Sequence, residues 1–74
     1  MALRDYNLIK YAELKDNLEV ITKVRYKDKG TNSKIKMEDQ LINVSFSEDV
    51  SAIAPGQSAV FYEGNDVVGG GIIV

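Results

Sequence analysis

The chain from residue 18 onward alternates between apolar and polar positions. Over residues 18–27, apolar residues and Thr22 occupy every second position, and mostly charged residues lie between them. The same two-residue period recurs over 34–38 and 41–47, and it predicts strands with one buried face. The residues predicted to face the core are Leu18, Val20, Thr22, Val24, Tyr26, Ile35, Met37, Ile42, Val44 and Phe46.

Polar segments separate these strands. Residues 15–17, 39–40 and 47–49 predict turns, and residues 28–33 predict a loop in which Gly30 adopts a positive φ. The first fourteen residues have no clear period. Residues 6–9 are compatible with a short strand, and residues 11–14 with either a helical turn or an extended segment.

The last third of the chain predicts a turn, a strand, a hairpin and a closing strand. Pro55 and Gly56 are typical of a type II turn, in which Gly56 takes the positive φ. Residues 58–62 are mostly apolar at consecutive positions, which predicts a strand buried on both faces. Gly64-Asn65-Asp66 is a hairpin signal. Val67-Val68 restarts a strand, which three glycines interrupt before the final apolar residues.

The glycines Gly69, Gly70 and Gly71 allow two interpretations. A phosphate-binding loop needs glycines followed by a helix N-terminus, and only three residues follow Gly71. The alternative is a bend or bulge at a barrel corner, where backbones approach closely. The sequence favours the bulge.

About six short strands with close turns and no convincing helix predict an all-β domain covering residues 1–74. Strands this short leave exposed edges unless the sheet closes. We therefore predict a small antiparallel β-barrel, closed or partly open.

Composition limits the possible chemistry. The 74 residues include no cysteine and no histidine, so thiolate chemistry is excluded, and neither a metal site nor a catalytic residue is expected. No apolar run is long enough for a membrane helix, and the N-terminus has no apolar signal region. We expect a cytoplasmic protein without a membrane partner.

The charges are unevenly distributed along the chain. All nine basic residues lie at or before Lys36, and Asp28 is the one acidic residue between Lys23 and Lys36. If the strands on either side of residues 28–33 pair, their outward face carries a set that we call the basic ribbon: Lys23, Arg25, Lys27, Lys34 and Lys36. These residues are candidates for RNA phosphate contacts, with Arg25 the best suited to a specific one. Alternatively, the lysines maintain solubility and protect strand edges.

Several motifs carry a family resemblance. Residues 55–73, PGQSAVFYEGNDVVGGGII, resemble the closing segment of the C-terminal domain of tRNA-specific 2-thiouridylases. The KVRY segment at 23–26 is similar to a strand of that domain, and Asn7-Leu8-Ile9 falls where the family usually has Asn-Trp followed by Ile or Leu. Leu8 departs from that pattern. The resemblance implies a β-barrel similar to those of translation elongation factors.

The resemblance also implies a function for the parent enzyme. Such enzymes adenylate a uridine of the tRNA anticodon with ATP and replace its C2 oxygen with sulfur from a persulfide. That chemistry uses an N-terminal S-G-G-x-D-S loop and two cysteines, so no catalytic residue or cofactor carries over to this chain. The implied partners are tRNA and the catalytic domain. The domain either helps to position tRNA or packs on the catalytic domain without RNA contact; a third possibility is a stand-alone barrel used elsewhere in translation.

Overall fold

A computed structural model of the chain describes residues 1–14, 17–24, 29–50 and 53–74. Within these ranges the chain forms six strands, and each pairs antiparallel with its neighbours in a closed barrel of order β1-β4-β3-β2-β5-β6. The strands are β1 (Ala2–Leu8), β2 (Leu18–Lys23), β3 (Thr31–Glu38), β4 (Leu41–Phe46), β5 (Ser58–Glu63) and β6 (Asp66–Ile73). The predicted barrel is confirmed, and it is closed. No described helix has the length and apolar character to cross a membrane.

The two-residue period correctly predicts the inward faces of β2, β3 and β4. All the described residues that it assigned to the core are buried, or are half-buried and packed against the core. Tyr26 lies outside the described residues. The buried apolar residues are Leu3, Val20, Val24, Ile35, Ile42, Val44, Ala59, Phe61, Val68 and Ile73.

Three predicted turns are confirmed. Asp39 and Gln40 connect β3 to β4 with φ values of 51° and 65°, as in the mirror-image turns that match strand twist. Gly56 has a φ of 91°, and the Gln57 N–H donates to the Ala54 carbonyl oxygen at 3.2 Å across the turn. Gly64 begins the two-residue connection between β5 and β6 with a φ of 57°.

The prediction that residues 58–62 are buried on both faces is wrong. Ala59 and Phe61 are buried, whereas Val60 and Tyr62 on the other face of β5 are only half-buried. The reason is geometric: a single closed barrel has one interior, so alternate residues of each strand must face outward. Apolar residues at consecutive positions of β5 therefore leave apolar surface outside the barrel.

The predicted loop over 28–33 is too long. Gly30 has the expected positive φ of 89°, but Thr31 already begins β3 and Ser33 is buried. The first strand is also longer than the predicted segment 6–9, since β1 spans Ala2–Leu8. The sequence of β1 shows no clear apolar–polar alternation, because the pairing of β1 with β6 shifts register between Arg4 and Asn7, where Asp5 has a φ of 49°. Residues 11–14 form no helix or strand.

The three glycines lie in a bulged strand. β6 runs through them without a break, so the predicted interruption is wrong. The predicted bulge is confirmed, because Phe61 pairs with Gly69 and Tyr62 pairs with Val67, which leaves Val68 as the extra residue. A Cβ at Gly69 would lie 2.3 Å from the Asn7 carbonyl oxygen, and one at Gly70 would lie 2.4 Å from that of Ala59. The glycines allow β6 to approach both neighbouring strands closely.

A buried hydroxyl pair joins β2 to β3 inside the barrel. Thr22 Oγ1 and Ser33 Oγ lie 2.5 Å apart, and Ser33 Oγ also lies 3.3 Å from the Val20 carbonyl oxygen. We expect Ser33→Ala to destabilise the barrel by about 1–3 kcal/mol, because it leaves the buried Thr22 hydroxyl without this partner. The double change Thr22→Val with Ser33→Ala removes both hydroxyls and is expected to cost less than Ser33→Ala alone. Urea unfolding of both variants measures this difference, and a double variant that is less stable than Ser33→Ala would contradict it.

Candidate nucleic-acid interface

The strand pair that carries the basic ribbon forms as predicted. β2 and β3 pair from Leu18 opposite Ile35 to Thr22 opposite Thr31. In this register Lys34 lies opposite Glu19, and Lys23 lies beyond the last paired residues at the other end of the hairpin. None of the described lysines of the ribbon therefore lies directly opposite another across this strand pair. The antiparallel register separates the lysines along the hairpin instead of opposing them.

Each described lysine of the ribbon has a different environment. The Lys23 ammonium lies 4.9 Å from the centroid of the Tyr62 ring. Lys36 forms an ion pair with Glu38, at 3.2 Å between Nζ and Oε2. Lys34 is exposed and has no ion pair or side-chain hydrogen bond within the described ranges. Arg25 and Lys27 lie outside the described residues. Their predicted roles, like those of the three lysines, stay predictions.

An open groove of about 830 Å³ crosses the outside of the barrel next to Lys34. We call it the outer groove and define it by six residues from four neighbouring strands: Glu19, Ile21, Asn32, Lys34, Ser45 and Tyr62. β2 pairs with β5 only from Ile21 to Lys23. This pairing ends one residue before β5 itself ends at Glu63, and the hairpin end at Glu63 and Gly64 contributes to the rim. The outer groove therefore lies where the pairing of β2 with β5 ends.

Most of the outer groove was not predictable from the sequence. Apart from Lys34, none of its six residues was predicted as a site residue. A signal was present, because Ile21 is an apolar residue among the charged positions of the outward face of β2, and it pairs with the equally outward Tyr62. An outward apolar pair next to polar side chains is typical of a binding surface.

A polar cluster holds the segment after β1 against the β5–β6 hairpin. The Lys10 ammonium lies 2.9 Å from Asp66 Oδ2 and 3.2 Å from Glu63 Oε1, and the Tyr11 hydroxyl donates to Glu63 at 2.6 Å. The hydrogen bond from Tyr11, followed by that from Lys10, lowers the pKa of Glu63. Hydrogen bonds to Asp66 and Glu63 raise the pKa of Lys10. The cluster compensates the charge of Glu63 at the rim of the outer groove.

Two exposed apolar side chains lie near this end of the barrel. Ile9 is 65% exposed and Val67 is 37% exposed. The Ile9 N–H donates to the Val68 carbonyl oxygen at 2.8 Å, which places Ile9 beside β6. We call Ile9 and Val67 the apolar edge. Across the residues that the structure describes, no group of three or more acidic side chains is arranged to hold a metal ion.

Comparison with known proteins assigns the domain. Residues 1–73 match the aminomethyltransferase β-barrel domain family. The chain belongs to this family. It is 58% identical to the tRNA-specific 2-thiouridylase MnmA of Cytophaga hutchinsonii over 86% of the chain and 18% of that protein. It is 46% identical to the protein of the same name from Amoebophilus asiaticus, over 99% of the chain and 20% of the relative. The chain thus spans about a fifth of the length of the curated relatives it matches.

The resemblance predicted from the sequence is confirmed: the chain is similar to the C-terminal β-barrel domain of the 2-thiouridylases. Its family motifs occupy defined places in this barrel. The PGQ segment forms the turn before β5, and the three glycines directly follow the bulged residue Val68 in β6. Leu8, which replaces the usual Trp, is half-buried and packs against the core at the end of β1. The smaller residue is therefore accommodated as part of the barrel's packing.

Proposed function

We propose that this barrel is an accessory domain of a tRNA-specific 2-thiouridylase and helps to position tRNA for ATP-dependent 2-thiolation of the anticodon uridine. Its relatives carry that enzyme's name and are about five times as long as the matched segment. The observation that carries the positioning role is the concentration of basic residues between Lys23 and Lys36, where Lys34 extends from β3 without an ion pair in the described structure. RNA phosphate is the polyanion that such a surface attracts.

In this proposal the barrel binds tRNA, and the rest of the parent enzyme carries out the reaction. The chain has no cysteine, so the sulfur carriers of the reaction must lie elsewhere in the parent enzyme. We propose that ATP also binds there and that the whole enzyme works in the cytoplasm. The barrel contributes binding energy away from the reacting uridine, which improves the reaction by holding tRNA in the correct orientation.

Salt-dependent tRNA binding tests this role. We expect labelled tRNA to bind the chain with an affinity that falls steeply with salt, because phosphate contacts release counterions. Changing Lys23, Arg25 and Lys27 together to Ala is expected to reduce the slope of log affinity against log salt by about 0.9 for each phosphate that is no longer neutralised. Fluorescence anisotropy over a salt series measures both quantities.

The matched control keeps the charge at all three positions. The triple variant Lys23→Arg, Arg25→Lys and Lys27→Arg should retain the wild-type slope, because the slope depends on the number of neutralised phosphates. This variant should still bind tRNA more weakly if the Arg25 guanidinium makes a bidentate phosphate contact that lysine cannot reproduce. If the chain binds no tRNA even at low salt, it has no RNA-positioning role of its own.

The exposed apolar edge favours a second function, in which the barrel packs on the catalytic domain without touching RNA. Exposed apolar side chains are typical of surfaces that bind another protein surface. This alternative predicts that association with the separately produced remainder of the enzyme is insensitive to salt and is weakened by Ile9→Ser. Isothermal titration calorimetry at low and high salt distinguishes it from the RNA role.

A further inference from the structure

The outer groove combines three features suited to one kind of ligand. Tyr62 presents an aromatic ring beside Ile21, its partner on β2. The exposed Asn32 amide and the Lys34 ammonium lie in the same groove, and neither side chain has a hydrogen bond or ion pair with the described residues. An aromatic ring, an amide and a cation are the groups with which proteins bind the base and phosphate of an unpaired nucleotide.

The Lys23 ammonium contacts one face of the Tyr62 ring. The Lys23 ammonium lies 4.9 Å from the ring centroid, so this face is covered by a flexible side chain. A nucleobase can stack on the same face when the lysine moves aside, and its ammonium then remains close enough to contact the adjoining phosphate. The existing contact therefore places a cation beside the predicted stacking position.

The two carboxylates of the groove affect which nucleotide fits. Glu63 is bonded by Lys10 and Tyr11, so its charge is largely compensated. Glu19 lies opposite Lys34 in the strand register, and no ion pair joins them in the described structure. A carboxylate repels phosphate but accepts hydrogen bonds from a base amino group such as that of cytosine. Glu19 therefore favours an orientation with the base edge on its side and the phosphate at Lys34.

We propose that the outer groove binds an unstacked, amino-bearing nucleotide of single-stranded RNA, with Tyr62 as the stacking surface and Lys34 as a phosphate contact. This inference rests on the proposed RNA role and gives it a defined site. The groove volume of about 830 Å³ is ample for one nucleotide, and the groove is open to solvent. Loops, bulges and unpaired ends of a folded RNA are the regions that present such nucleotides.

The test uses a short labelled oligocytidine and the 74-residue chain. Tyr62→Leu is expected to weaken binding about five- to hundredfold, the effect of removing one base–aromatic stack. Asn32→Ala and Lys34→Ala remove exposed side chains and should each weaken binding without affecting the thermal midpoint. Arg4→Ala is the control, because it removes one exposed positive charge from β1, outside both the outer groove and the basic ribbon, and should change affinity less than twofold.

The outcomes separate this inference from the proposed function. The inference predicts that titration with oligocytidine shifts the NMR signals of the Asn32 side-chain amide and of the backbone amides next to Tyr62. If tRNA binds with the expected salt dependence but none of the three groove variants weakens oligocytidine binding, the groove is not the site, and the positioning role stands. If neither RNA binds, both proposals fail. If these signals respond to the remainder of the enzyme but not to RNA, the groove is a protein-docking surface, and the inference is overturned.

Discussion

Replacing Gly70 with alanine is expected to destabilise the barrel by about 3 kcal/mol or more. The added Cβ would lie 2.4 Å from the Ala59 carbonyl oxygen and 3.4 Å from the Val60 Cα, so it meets backbone rather than a movable side chain. Overpacking a core typically costs about 1–3 kcal/mol, and it costs more where the neighbour cannot rotate away. In a domain of this size, about 3 kcal/mol lowers the thermal midpoint by more than about 10 °C. Thermal unfolding followed by circular dichroism measures the shift.

Gly64 provides the control for this prediction. It also has a defined structural role, but apart from its two chain neighbours no atom of the described residues lies within 4 Å of the position that its Cβ would occupy, and its φ is 57°. Asparagine tolerates that backbone conformation better than other side chains. Gly64→Asn is therefore expected to change stability by less than about 1 kcal/mol. Equal losses of stability for Gly64→Asn and Gly70→Ala would show that glycine content, and not the close approach at Gly70, decides stability.

The sequence was most informative where local backbone geometry determines which residues can occupy a position. Alternation over β2, β3 and β4 predicted the inward residues, because a strand must place successive side chains on opposite faces. Pro55-Gly56 and the turn at Gly64 were predicted for the same reason, since few residues adopt their backbone angles. The family motifs then identified the barrel, because they fall in the conformationally restricted turn and bulge.

The sequence was least informative where contacts join distant parts of the chain. β1 closes the barrel against both β4 and β6, and the register shift near Asp5 removes the period that would have identified it. The position of Lys34 opposite Glu19 depends on the register of the hairpin, which charge spacing alone does not determine. The outer groove lies where the pairing of β2 with β5 ends. Its lining residues were therefore visible as outward positions, but not as neighbours.

Phe61→Ala is expected to have the largest effect of any core change, a decrease in stability of about 3–5 kcal/mol. Phe61 is the largest fully buried side chain among the described residues, and it lies on β5 between Thr22 on β2 and Gly69 on β6. Removing its ring leaves a cavity that a closed barrel cannot readily fill. Phe61→Leu retains much of the volume and is expected to cost about 1–2 kcal/mol. Urea unfolding should show lower midpoints in this order.

Combining this change with one at Gly69 tests why the glycine is needed. If Gly69 only made room for the Phe61 ring, Gly69→Ala would be less harmful in the Phe61→Ala background. The structure predicts no such rescue, because the Cβ at Gly69 would meet the Asn7 carbonyl oxygen at 2.3 Å whether or not the ring is present. The double-mutant cycle compares the cost of Gly69→Ala with and without the ring. If Gly69→Ala costs the same stability with and without the ring, a glycine is needed at position 69 because β6 approaches β1 closely there. A smaller cost without the ring would contradict this and show that the glycine is needed to make room for Phe61.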